Sequence, residues 1–186
     1  MTTSTLTKRV RNWFSLANIK ASILNISLFV GMFLMIDWFQ SSHLLPTEQA
    51  APVNILQLPE LKESGLAVQL FEPQMLAGKT TVVYFFAPWC NVCHLSIGNL
   101  ENLYQSRRDD INVIAVALSY QSSNEIADFV ADKNLTFPVL LGTNEVMKRY
   151  SVRGFPTYYV LDEQGKVVGK TQGYSTEIGL RLRAML

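Results

Sequence analysis

The chain has 186 residues, 48% of them hydrophobic, with a formal net charge of +1. That length fits one domain of ordinary size plus an extension, and the apolar fraction is enough to bury a core. Four cations (Lys8, Arg9, Arg11, Lys20) and no acid precede Asp37, while twelve Lys/Arg face fourteen Asp/Glu from Gln40 onward, a weakly acidic body that excludes an electrostatic footprint for nucleic acid.

The basic start, residues 1–20, reads as a cytoplasmic tail and leads into an uncharged run, Ala21–Ile36. At ~1.5 Å per residue this run spans roughly 24 Å, slightly short of a hydrocarbon core of ~30 Å. Ile19 extends it and Lys20 can snorkel to the headgroups. Trp13-Phe14 and Trp38-Phe39 stand where the aromatic belts of a spanning helix would be. Residues 21–39 are therefore expected to form a transmembrane anchor, and the positive-inside bias puts everything after it outside the cytoplasm. A cleaved signal peptide is the rival reading. The region before the apolar run is long for one, and Gln40-Ser41-Ser42 and Glu48-Gln49-Ala50 are poor cleavage sites. A buried core helix is the third. Either leading reading places the two cysteines in an oxidising compartment.

Residues 40–52 are polar, hold two prolines and have no hydrophobic period, so they read as a linker. His43 lies there and is expected to be solvated. Residues 53–186 then alternate element types. Thr80–Phe86 is β-branched and aromatic, a buried strand. A helix follows, with Leu95, Leu100, Leu103 and Tyr104 available for an apolar face. Ile111–Leu118 is a second apolar strand. Ser122-Ser123-Asn124-Glu125 fits a capping box, and Ile126, Phe129 and Val130 continue at helical spacing. Asn144 can cap a short helix through Tyr150. Thr157–Leu161 and Lys166–Lys170 flank Asp162-Glu163-Gln164-Gly165 as a hairpin. Ser175 can cap a last helix carrying Ile178, Leu182 and Met185. This order predicts an α/β fold, a mixed sheet with helices on both faces.

The only two cysteines sit between the first strand and its helix, in Trp89-Cys90-Asn91-Val92-Cys93-His94. A Cys-x-x-Cys in that context reads as redox-active. The thiolate is the attacking species, and the unpaired N–H groups and dipole of a helix start lower a thiol pKa from about 8.5 to ~3.5–7.5. Cys90 is the candidate nucleophile. Cys93, one turn along, is the candidate resolving thiol. A structural disulfide would contribute only ~2 kcal/mol from so short a loop, against ~4.7 for a loop of about 100 residues. Zinc wants four ligands, and only His43 and His94 remain as donors beside the cysteines. Inert core thiols are a further alternative. The sharpest is haem: Cys90-Asn91-Val92-Cys93-His94 also fits the c-type attachment pattern, with Met147 or Met185 as second axial ligand.

Phe86-Ala87-Pro88-Trp89-Cys90-Asn91-Val92-Cys93 resembles the active-site turn of thioredoxin-fold proteins. Gly154-Phe155-Pro156-Thr157, opening a later strand, resembles that family's cis-proline loop. The longer segment between them is similar to the strand–helix insertion of the membrane-anchored thioredoxin-like disulfide reductases. That group includes the cytochrome c maturation thioredoxins and the suppressor of copper sensitivity protein D. Gly173-Tyr174-Ser175 followed by Gly179-Leu180-Arg181-Leu182-Arg183 looks closest to the latter. The resemblance covers residues 53–186.

The resemblance implies a thioredoxin fold with that insertion, behind one transmembrane helix. It implies a disulfide reductase with no cofactor beyond the Cys90–Cys93 pair. Pro156 would be cis against the pair, and the Phe155 backbone would take a substrate peptide as an added strand. Thr157 would complete that loop, and Trp89 would shield one side of the disulfide, its rival reading being a plain core aromatic. Partners would be disulfide-bearing proteins and a transmembrane thiol donor, in a single-pass protein of the inner membrane facing the periplasm. Three positions depart from the pattern. Thioredoxin's buried Asp is Tyr84 here, the Glu frequent in the cytochrome c maturation branch is Ser96, and the helix proline is Gly98. His94 is the remaining candidate to tune the pair, although it need not face the sulfurs. A haem electron carrier and a non-catalytic peptide-binding module in the Phe155-Pro156 groove are the alternatives.

Overall fold

The computed structural model describes residues 16–61 and 67–184. The chain divides into two units, residues 1–40 and 41–186.

In the first unit one helix dominates, α1 (Leu16–Ser41). Its apolar side chains, Ile23, Leu28, Phe29 and Phe33 among them, are exposed and distributed around the axis. Among the described residues, no helix is long and apolar enough to cross a membrane. The expected anchor over residues 21–39 is thus not established by the structure. Most of the expected basic tail, with Trp13-Phe14, lies outside the described residues.

The second unit is built on seven strands: β1 (Pro59–Leu61), β2 (Ala67–Leu70), β3 (Thr80–Phe86), β4 (Ile111–Ala117), β5 (Val139–Leu141), β6 (Thr157–Leu161) and β7 (Val167–Gln172). They are ordered β2-β1-β5-β4-β3-β6-β7. The inner three, β3, β4 and β5, run parallel. β6 and β1 flank them antiparallel, and β7 and β2 close the edges. Strands buried on both sides read as continuous apolar runs, which is why β3 and β4 were legible. β1, β2 and β5 are three or four residues long and gave no such signal.

Alternate side chains of β3 and β4 feed two core layers. Val82, Tyr84, Phe86, Val113 and Ala115 pack under α2 (Asn91–Arg107), α3 (Ser123–Lys133) and α5 (Glu177–Ala184). Val83, Phe85, Ile114 and Val116 pack on the other side, under α4 (Asn144–Arg149) and the turns Val53–Leu56 and Pro73–Leu76. Helices cover both faces, as expected.

Several local expectations shift. On α2, Leu95 points to solvent, and Ile97 joins Leu100 and Leu103 inside. On α5, Ile178 and Leu182 are exposed while Leu180 and Ala184 are buried; Met185 lies outside the described residues. The cap of α4 is Thr143, whose hydroxyl accepts from the Val146 N–H at 3.4 Å. At α5 it is Thr176 Oγ1, rather than Ser175, that accepts from the Gly179 N–H, at 3.1 Å. Ser122 is the N-cap residue of α3 without a side-chain bond, and Glu125 instead receives the Gln121 N–H at 3.2 Å.

The stretch expected as a linker, residues 40–52, is docked from Leu44 onward. Leu44 and Ala51 are buried. Glu48 N donates to Val167 O, Val167 N to Gln49 O, and Ala51 N to Gly165 O, at 2.8–2.9 Å. Two leucines are too few to show a period, but they suffice to fill gaps in the core. His43 is half-buried rather than solvated, and burial, with Arg153 adding, lowers its pKa.

Candidate active site

β3 runs through the middle of the sheet and delivers its last residue to a tight turn. Leu118 N donates to Phe86 O at 2.8 Å, and Cys90 N to Ala87 O at 3.0 Å. Cys90 is then the N-cap residue of α2, extended at φ −82°, ψ 106°. Its Sγ accepts from the Cys93 N–H at 3.1 Å, and its carbonyl accepts from Cys93 N and His94 N at 2.9 and 3.1 Å. A sulfur in the N-cap position does what a capping oxygen would do, so the first turn is already arranged around a polarisable or anionic atom. Cys90 and Cys93 are joined as a disulfide, with Cα atoms 5.2 Å apart. Cys90 is 6% exposed and Cys93 0%. Cys90, expected to be exposed, is therefore nearly buried, and Cys93 is fully so.

A second loop lies at the same end of the sheet, because Thr157 at the start of β6 pairs with Phe85 near the end of β3. The Phe155–Pro156 peptide is cis. Thr157 Oγ1 donates to Gly154 O at 2.8 Å, and Gly173 N to Pro156 O at 2.8 Å. Gln172 Nε2 sits 2.7 Å from where a Cβ on residue 154 would be, so the Gln172 amide packs directly on Gly154 and would have to move for a larger residue. Thr157 is fully buried and fastens the loop from within, while Phe155 stays half-exposed.

Trp89 is not a core aromatic. It is 65% exposed, with its indole N–H donating to Ser119 O at 2.9 Å and its ring edge-on to Phe155 at 5.8 Å. Ser119 holds a left-handed backbone, φ 53°, and nothing in its sequence context marked it. Val92, Leu95 and Tyr174 leave apolar surface exposed on the α2 side, and Tyr174 is tied to α2 by the Asn99 amide at 3.1 Å.

His94 turns away from the sulfurs. Its Nε2 lies 2.8 Å from Pro88 O. A carbonyl can only accept, so it is Nε2–H that donates here. Nδ1 faces Asp132 at 4.0 Å, and the ring stands against Phe129 at 4.6 Å. Asp132 is held below the usual carboxylate range mainly by Lys133. His94 thus braces the Pro88 turn. Tyr84 and Ser96, where carboxylates would be expected from the resemblance, are buried beneath Cys93. Met147, one of the two candidate axial ligands, packs in the opposite core layer. Among the described residues, no group of three or more His, Cys, Asp or Glu is placed to hold a metal ion.

Residues 48–181 match the Redoxin family. This chain belongs to the Redoxin family. The redoxin is similar to the thioredoxin-like protein YneN of Bacillus subtilis, 29% identical over 113 residues, which are 60% of this chain and 66% of that one. It is similar to sporulation thiol-disulfide oxidoreductase A of the same organism, 23% identical over 146 residues, 76% of this chain and 85% of that one. Among solved structures, StoA from Bacillus subtilis superposes with a TM-score of 0.54 at 28% identity, covering 57% of this redoxin and 83% of that chain. The fold is thioredoxin-like, and an oxidoreductase of that kind is what the fold and the paired cysteines support.

Proposed function

We propose that this redoxin is a membrane-tethered thiol–disulfide oxidoreductase acting outside the cytoplasm, where it reduces disulfides of partner proteins. The observation that carries this reading is the Cys90–Cys93 disulfide at the start of α2, with Cys90 as N-cap residue and the more accessible sulfur. In the reduced protein the Cys90 thiolate attacks one sulfur of the partner's disulfide, and the partner's other sulfur leaves as a thiolate. Cys93 then gives up its proton, attacks Cys90 Sγ and releases the partner's second sulfur. Two electrons and two protons pass to the partner, and the Cys90–Cys93 bond forms. The edge of the Phe155-Pro156 loop offers the backbone for an incoming extended peptide, with Trp89 as its wall. A transmembrane thiol donor is the partner that returns the pair to the dithiol.

The tether reading rests on Lys8, Arg9, Arg11 and Lys20 ahead of the uncharged Ala21–Ile36 run, with Ile19 and the snorkelling Lys20 making up its length. The narrower likeness to the suppressor of copper sensitivity protein D rests on Gly173-Tyr174-Ser175 and the residues after it.

Trapping tests the chemistry. The Cys93→Ser chain is expected to accumulate mixed disulfides with its partners, resolved by non-reducing electrophoresis and released by reductant. Cys90→Ser is expected to trap none. Equal turnover by Cys90→Ser and the parent chain would replace the enzyme with a peptide-binding module. For the tether, the protein should stay with membranes through alkaline extraction, and its thiols should react with a membrane-impermeant reagent on intact cells.

A further inference from the structure

Cys90 reaches the helix start through a four-residue turn, Ala87–Cys90, closed by Cys90 N donating to Ala87 O at 3.0 Å. Two parts of this turn are fixed by their own chemistry. The Pro88 ring presets its φ, and the Trp89 indole is tied to Ser119 O at 2.9 Å. The soft part of such a turn is its central peptide, whose rotation distinguishes one turn type from another. Here that peptide is Pro88–Trp89, and its carbonyl is the one that His94 holds, with Nε2 at 2.8 Å from Pro88 O. The main-chain N–H of the same residue donates to Cys90 O at 3.1 Å. His94 therefore grips the chain at the carbonyl before Trp89 and at the carbonyl after Cys90. The ring is held in turn by α3. It stands edge-on to Phe129 at 4.6 Å, and Nδ1 faces Asp132 at 4.0 Å. Phe129 is buried in the core, so the ring rests on a rigid surface.

We propose that His94 is a positioning residue for the reaction. It locks the Pro88–Trp89 peptide, and through that peptide keeps Cys90 in the N-cap geometry in which Sγ accepts the Cys93 N–H at 3.1 Å. A sulfur held there is one that the helix start can stabilise as a thiolate. The inference rests on the oxidoreductase reading. The role needs no contact with either sulfur and no proton transfer; it needs only the N–H at Nε2. That requirement separates it from an electrostatic role. Glu125, Asp128 and Asp132 on α3 line the same groove as Pro88, Trp89 and His94, and Lys133 pairs with Asp132 at 2.8 Å, so a charge on the ring would be one among several.

The test is a single turnover of the reduced full chain with dithiobis(nitrobenzoate), followed against pH. Cys90 releases the first thionitrobenzoate, and Cys93 releases the second as it resolves the mixed disulfide. In His94→Ala the pH midpoint of the first phase is expected to rise by about half a unit to one unit. Release below the midpoint then slows roughly three- to tenfold, the worth of one hydrogen bond. His94→Gln puts an uncharged amide N–H where the ring N–H stood, and is expected to restore most of the parent profile. An unmoved midpoint in His94→Ala would overturn the proposal. Equal shifts in the Ala and Gln variants would overturn it as well, and would assign the effect to the charge of the imidazole. A parent chain that never releases the second equivalent would instead defeat the oxidoreductase reading itself.

Discussion

The sheet carries buried tyrosines on each face, and they are used differently. On the face away from the cysteines, Tyr159 Oη accepts from Leu45 N at 3.0 Å and donates to Tyr150 O at 2.6 Å. Its hydroxyl ties the docked segment after α1 to the loop after α4. On the cysteine face, Tyr84 makes only contacts of 3.3–3.5 Å, to Ser96 Oγ and Cys93 O, and Tyr158 turns toward Tyr84 and Ser96. Tyr150 Oη, in the other layer, is unpartnered, so an unserved hydroxyl is not by itself a mark of function. What distinguishes the front pair is its place in the core layer that also holds Cys90 and Cys93. One layer ties a hydroxyl across distant segments, and the other keeps its hydroxyls within a cluster beside α2.

The largest effect that can break this comparison is alkaline. Burial pushes both Tyr158 and Tyr159 up to about 12, from about 10 in the unfolded chain. In the window between those values the folded chain holds protons that the unfolded chain has lost. The stability these groups contribute is thus complete below pH 10 and disappears as pH rises through 12, at about 1.4 kcal/mol per pH unit for each tyrosine. Denaturant titrations across that window, repeated with Tyr158→Phe and Tyr159→Phe, should lose one proton of slope for either substitution. A Tyr158 that titrates near pH 10 would mean that water reaches the front cluster, and the contrast between a dry cluster and a wet pocket would vanish.

Next in size is the back hydroxyl. Tyr159→Phe leaves the Leu45 N–H and the Tyr150 carbonyl without their partner, at a cost of roughly 1–3 kcal/mol. The denaturation midpoint should fall while the pH profile of the thiols, read with dithiobis(nitrobenzoate), stays in place. Tyr84→Phe, which gives up only contacts of 3.3–3.5 Å, should cost less. A shift of the thiol profile by Tyr159→Phe would join the two layers into one electrostatic unit.

The sequence showed the core strands and the cysteine pair clearly because each signal is local. Thr80–Phe86 is apolar without interruption, and a Cys-x-x-Cys needs only its neighbours to be recognised. The proline loop was legible through resemblance, since nothing in Gly154-Phe155-Pro156-Thr157 alone calls for a cis bond. What escaped notice depends on contacts across the fold. Leu44 and Leu45 looked like spacer residues until β6 and β7 gave them a surface. Ser119 became part of the site only when the indole of Trp89 reached its carbonyl. Tyr84 and Ser96 were visible as departures from a pattern, yet their meeting required β3 and α2 to lie face to face. His94 stood beside the pair in sequence, and the helix turned it the other way.

The smallest effect separates rigidity from chemistry on the front helix. Gly98 occupies the position where the resemblance leads one to expect proline. It is an exposed residue inside α2, and a Cβ there would meet nothing within 4 Å. Gly98→Ala removes conformational freedom from the unfolded chain and adds no contact, so it should stabilise by about 1 kcal/mol and raise Tm by roughly 2–4 °C. It leaves Tyr84, Ser96 and Tyr158 untouched. Reaction of the reduced cysteine pair with dithiobis(nitrobenzoate) should keep its pH midpoint in this variant, because no charged or polar group of the site changes. A midpoint that follows Tm instead would show that the stiffness of α2 governs the buried thiol.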